Sequence, residues 1–176
     1  MSIIDKLDKK ISNKKKDTED KKKIKSDIIG KINKFHHSVY KKYFFEEFKK
    51  LEKLFKKHTK KHEDISTHVS NNLYYFSIDR TFDTRRNTSK AVKIELIDRK
   101  RIGYFSADQI NDELKELKKY KFHEKNFCLK VSNLGDWIPN YVFREEISSK
   151  RFEIADKEKA YDCLTDLFQK EILFLR

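Results

Sequence analysis

Residues 31–66 read KINKFHHSVYKKYFFEEFKKLEKLFKKHTKKHEDIS, a run without Pro or Gly. Within it Phe44, Phe48, Leu51, Phe55, His58, His62 and Ile65 follow one another at alternating steps of four and three residues. That spacing lays them along one stripe of an α-helix, with Lys and Glu filling the other faces. Unbroken, the stretch would be roughly 50 Å long at 1.5 Å per residue. Leaving its large apolar side chains in water would forgo about 1.5–3 kcal/mol each, so the stripe needs a cover. Phe fits the gap between a helix and a sheet better than a narrow two-stranded seam. The C-terminal part of this chain is therefore the expected cover, with a second copy as the alternative.

Toward the N-terminus, Ile3, Ile4, Leu7 and Ile11 make a short amphipathic helix that is expected to end near Asn13. The nearly all-charged run NKKKDTEDKKKIK follows and reads as frayed helix. Ile24, Ile28, Ile32, Phe35 and Val39 restart a stripe, with Gly30 inside it as a candidate bend. The phase of the stripe shifts between Val39 and Phe44, which predicts two or three helices over residues 1–66 instead of one rod.

Beyond Ser66 the period changes from helical to alternating. Residues 73–78 (LYYFSI) and 91–97 (AVKIELI) read as strands, and residues 79–90 (DRTFDTRRNTSK) as a polar loop. A turn at 98–101 and a strand at 102–105 close a hairpin. Ser106-Ala107-Asp108-Gln109 is a capping box opening a helix whose Ile110, Leu114 and Leu117 share a face. Phe127, Leu129 and Val131 alternate as another strand. Residues 132–140 (SNLGDWIPN) read as a loop, residues 141–154 fit no single pattern, and Asp156 can cap a last helix with Tyr161, Leu164, Phe168, Ile172 and Leu175 on one face. The expected class is α+β: a basic N-terminal helical region of two or three helices, then a small antiparallel sheet with two further helices. The expected division is a basic helical arm, residues 1–66, and a small α+β domain, residues 67–176, packed against the end of the arm.

The charge is uneven. Of a net +13 over 176 residues, residues 1–70 carry +10, from 21 Lys against 11 Asp and Glu. That excess favours polyanions or an acidic partner surface. A bland cause competes: 34 Lys against 8 Arg is the skew of an AT-rich genome. Such a bias explains Lys in place of Arg, but not the surplus over Asp and Glu. Two cysteines, Cys128 and Cys163, are too few for a disulfide framework. No uncharged run reaches the length of a membrane span, and the N-terminus has no apolar signal core. A cytoplasmic location is the expectation.

Two groups of residues point to nucleic acid. Lys49, Lys50, Lys53, Lys56 and Lys57, with Lys41, Lys42, Lys60 and Lys61 nearby, lie opposite the apolar stripe, where they would neutralise phosphates without reading sequence. Tyr75, Arg80, Phe82, Arg85 and Arg86 cluster on and after the first strand, pairing rings that stack on bases with guanidinium groups that grip phosphate. The other chemistries are weaker. His58 and His62 stand one helical turn apart, but HTKKH lacks the Glu of a zinc-protease HExxH, so neither a metal nor a cofactor is expected.

Leu96-Ile97-Asp98-Arg99-Lys100 ends an apolar strand in Asp-x-Lys, with Asp79 and Asp83 upstream and a helix carrying Gln109 downstream. This loosely resembles the PD-(D/E)xK nucleases, whose α-β-β-β-α-β core is similar to the order read here. The resemblance implies that the two acids hold Mg²⁺ and that the Lys assists the attacking water. No Pro precedes Asp79 or Asp83. The leading expectation is a non-catalytic basic protein that docks on nucleic acid or a nucleoprotein complex. Second is a protein–protein interaction module, such as a phage or mobile-element inhibitor or accessory factor of a host nucleoprotein enzyme. Third is the Mg-dependent nuclease.

Overall fold

Phe44 is where the long helical stretch divides. In the computed structural model, which describes residues 3–83, 85, 88–100, 110–137 and 144–173, helix α1 spans Ile3–Tyr43 and α2 spans Phe45–Thr59. Phe44 leaves helical geometry, with φ −124° and ψ −22°. Its N–H still reaches the Tyr40 carbonyl at 2.8 Å, and its own carbonyl accepts the Phe48 N–H at 2.8 Å. The junction is therefore a kink. The phase shift between Val39 and Phe44 falls at this break, and burying Tyr40, Phe44 and Phe48 together compensates the lost regularity: the ring centroids of Tyr40 and Phe48 are 5.7 Å apart, those of Phe44 and Phe48 5.9 Å.

Neither the expected stop near Asn13 nor a bend at Gly30 interrupts α1. The charged run supports itself as solvated helix: Lys21 pairs with Asp17 one turn back at 2.6 Å, and Thr18 Oγ1 donates to the Lys14 carbonyl at 2.9 Å.

Five strands follow, β1 (Ile65–Ser70), β2 (Tyr75–Asp83), β3 (Thr88–Asp98), β4 (Phe127–Trp137) and β5 (Arg144–Glu153). They form one antiparallel sheet in chain order. Helix α3 (Ile110–Lys118) lies between β3 and β4 in the chain, and α4 (Lys157–Leu167) follows β5 and runs into a π-helical turn, Phe168–Leu173. The class is α+β, as the sequence predicts.

The strand boundaries differ from expectation in three places. β1 has no strong signal in EDISTHVS, yet Ile65, Thr67 and Val69 alternate inward against Arg80, Ile78 and Phe76 of β2. Residues 79–90 are mostly strand and not loop, because their charged side chains find partners across the ladder and beneath it. Residues 132–137 extend β4 instead of forming a loop, and the ambiguous stretch after them supplies β5. The hairpin strand at 102–105, the capping box at 106–109 and Leu175 lie outside the described residues.

Alternation gives the sheet two unlike faces. Phe76, Ile78, Val92, Ile94, Leu96, Leu129 and Val131 are all 2% exposed or less and make the apolar face. Helix α2 and the α4 region cover it: Phe55 meets Phe76 and Phe168, and Ala160, Leu164, Phe168 and Ile172 are buried at steps of four residues. The stripe of the long helix is thus covered by its own chain. It ends earlier than its spacing suggests: α2 stops at Thr59, His58 is exposed, and Ile65 is buried as a strand residue. The opposite face carries Ser66, His68, Tyr75, Ser77, Lys93, Glu95, Lys130 and Ser132.

The chain divides into two compact units, Met1–His36 with Lys100–His123, and His37–Arg99 with Glu124–Arg176. The sheet, α2 and α4 belong to the second. Within the first, Lys25 reaches the buried Glu113 carboxylate at 2.6 Å, Phe35 meets Phe122 edge-on at 5.6 Å, and Leu114 and Leu117 are buried.

Candidate nucleic-acid interface

Helix α2 orients its lysines by the same periodicity that buries its aromatics. Phe48, Phe55 and Thr59 point into the core. Lys50, Lys53 and Lys57 lie on the opposite side, about 10 Å from first to last at 1.5 Å per residue. All three are exposed, and none makes an ion pair with a described residue. Their neighbours Lys49 and Lys56 are partly neutralised, by Glu46 at 3.7 Å and by Glu52 at 2.8 Å. Lys49 also lies over the Phe45 ring at 3.9 Å. Glu47, the remaining acid of the helix, is drawn away from this face by Lys157 at 2.5 Å and by the Tyr161 hydroxyl. Three outward cations thus remain without a local counter-charge, a suitable surface for consecutive phosphates.

The aromatic–arginine group is not brought together. Tyr75 stands on the open face of β2, opposite Glu95 of β3, with Lys93 Nζ 5.6 Å from its ring centroid. Arg80 points to the other face. Its Nε donates to Asp64 at 2.5 Å and its Nη1 to the Ile172 carbonyl at 2.6 Å, so the guanidinium ties the entry to β1 and the π-helical turn to the sheet. The bond from Arg80 holds the Asp64 carboxyl below the usual carboxylate range. Phe82 is 45% exposed beside Arg80, at the bulge between Thr81 and Asp83, 5.6 Å from the guanidinium to the ring centroid. Arg85 is exposed in the turn after β2, its N–H donating to Asp83 Oδ1 at 2.9 Å. Arg86 lies outside the described residues.

The open sheet face is mixed in charge. Lys93 pairs with Glu95 at 3.0 Å, and Glu146 accepts from Lys130 and from the Ser149 hydroxyl. Asp79 meets Arg144 at 2.7 Å; burial pushes its carboxyl upward while Arg144 pulls it down. Lys93 beside Tyr75 had no signal in the sequence beyond its alternation with Val92 and Ile94.

The Asp-x-Lys constellation is also dispersed. Asp79 pairs in register with Ala91, seven residues from Asp98 along β3, a separation of about 23 Å at 3.3 Å per residue. The two acids also stand on opposite faces, since Asp98 belongs to the same alternation as Ile94 and Leu96. Among the described residues no group of three or more His, Cys, Asp or Glu converges on one point, and no helix is long and apolar enough to cross a membrane.

No family model, no curated protein and no solved structure matches this chain.

Proposed function

We propose that this chain is a non-catalytic binding protein that docks on nucleic acid, or on a nucleoprotein complex, through the outward face of α2. The observation that carries this reading is the trio Lys50, Lys53 and Lys57: exposed, on one helix face, and without a carboxylate partner among the described residues. Rigid backbone places these ammonium groups, while Phe48 and Phe55 anchor the helix from behind. Such a surface recognises phosphate spacing and not bases, so binding is expected to be weak, sequence-blind and strongly salt-dependent.

The test is binding of labelled duplex DNA and single-stranded RNA across a salt series. The triple variant Lys50→Glu, Lys53→Glu and Lys57→Glu is expected to lose retention at moderate salt. Milder Gln substitutions should lower the slope of log affinity against log salt by about one per lysine. Unchanged binding by the triple variant would remove α2 from the interface. Co-purification of a defined protein that survives nuclease treatment would favour instead the protein–protein interaction module.

A further inference from the structure

We propose that two copies of this chain join edge to edge, through antiparallel pairing of their β5 strands about Ser149, into one continuous ten-stranded sheet. The inference is independent of the polyanion reading. It rests on the edge itself and on the order of charges along it.

β5 is the last strand of the sheet, ten residues long, and its residues are exposed or half-buried throughout. Among the described residues no strand lies on its far side. The opposite edge, β1, has only six residues. A long edge offers a row of unpaired N–H and C=O groups, which proteins blunt, cover or use for docking.

The register against β4 shows which β5 side chains share the open face. Cys128 pairs with Glu153, Lys130 with Arg151, Ser132 with Ser149, Leu134 with Glu146 and Trp137 with Arg144. The register slips between Ser148 and Glu146, so Ile147 is an extra residue on β5. In a regular strand Glu146 and Arg151, five apart, would stand on opposite faces. The bulge puts them on the same one, and Glu146 accordingly accepts from Lys130, Ser132 and Ser149 there. Arg144 reaches Asp79 and Ser89 on that face too.

The open face of the edge therefore reads Arg144, Glu146, Ser149, Arg151, Glu153. Run backwards, this series has the opposite sign at every charged step. A two-fold axis perpendicular to the sheet at Ser149 sets Arg144 against Glu153 and Glu146 against Arg151, twice over, with Ser149 against Ser149. Each charged residue faces its complement, as an isologous interface requires; Arg144 and Glu153 already hold Asp79 and Arg99 in their own chain, so Glu146 against Arg151 is the pair that decides. The neighbouring registers fail: sliding by two residues one way opposes Arg144 with Arg151, and the other way Glu146 with Glu153. Arg151 is exposed and has no ion pair with any described residue. Glu146 accepts from three donors of its own chain, Lys130, Ser132 and Ser149, and its carboxylate has room for one more. The occupant this edge fits is a copy of itself.

The test is sedimentation of the full chain over a dilution series, with charge reversals. Wild type is expected to show a monomer–dimer equilibrium. Glu146→Arg or Arg151→Glu alone should weaken the dimer about tenfold or more, because like charges then face each other twice. The double variant should restore it. An equimolar mixture of the two single variants should dimerise more tightly than either variant alone. A wild type that stays monomeric up to its solubility limit would overturn the proposal, as would single variants that associate like wild type. If a single variant loses native circular dichroism, hydrogen exchange on wild type decides. β5 amides should gain protection with concentration while β1 amides do not, and concentration-independent exchange at β5 would overturn the proposal.

Discussion

The Phe55 ring stacks on Phe76, with centroids 5.7 Å apart and planes 26° from parallel. Phe168 closes on Phe55 edge-on at 4.8 Å. One side chain thus joins α2, the sheet and the π-helical turn. It is 3% exposed. Phe55→Ala should cost about 3–5 kcal/mol of folding stability, the transfer term plus a cavity that three elements cannot collapse into. Urea titration measures this, and a loss under 1 kcal/mol would mean that α2 is not anchored on the sheet.

Tyr40 is fully buried, and its hydroxyl has no hydrogen-bond partner among the described residues. Burial pushes its ionisation up to about 12. Tyr40→Phe keeps the ring contacts with Phe48 and Tyr74 and removes an unsatisfied polar group. It should raise stability by about 1 kcal/mol. The folded ionisation is raised, so the tyrosine's contribution is intact below about pH 10 and falls as the pH climbs toward 12. The variant should therefore show a flatter alkaline limb in a pH series of urea midpoints. A drop in stability at neutral pH would place a bound water on the hydroxyl.

The class and the helix break were legible because they rest on period. The Phe44–Phe48–Phe55 stripe and the alternation of Val92, Ile94 and Leu96 are intrinsic to the chain. Long-range pairing hid the rest. Arg80 reads as a free loop cation until Asp64 and the Ile172 carbonyl, 16 and 92 residues away, are brought to it. The same pairings turn DRTFD from loop into strand. β5 alternates only after Ile147 is counted as a bulge, and a bulge has no local signal. The outward lysines of α2 were legible as a face. Which of them keep a free charge depends on Glu46, Glu47 and Glu52, whose partners only the fold specifies.

Gly30 lies within α1, and a Cβ built there meets nothing within 4 Å. Its flexibility therefore weakens the helix with no steric reason for it. Gly30→Ala should gain about 1 kcal/mol in helix stability. Hydrogen exchange of amides near residue 30 would show the gain as slower exchange. Faster exchange would mean that a bend at Gly30 is used in the working protein.

The Arg80–Asp64 pair gives the last prediction, a pH dependence whose sign follows from the direction of the shift. The Asp64 carboxyl is held below its ordinary value by the bond from Arg80. A depressed carboxyl contributes stability that is complete above the unfolded-state ionisation, near pH 4. That contribution is lost as the pH falls through the lower folded-state value. The Asp64 side chain is 38% exposed, so solvent screens the pair and the contribution stays under about 1 kcal/mol. Asp64→Asn should lower the urea midpoint slightly at pH 7, and the difference from wild type should vanish at about pH 2. Arg80→Met should cost more at every pH, since it also removes the donor to the Ile172 carbonyl and frees the π-helical turn. Protease nicking within residues 168–173 would rise in Arg80→Met and not in Asp64→Asn. Equal nicking in the two variants would mean that the turn is held by Phe168 and Ile172 packing alone.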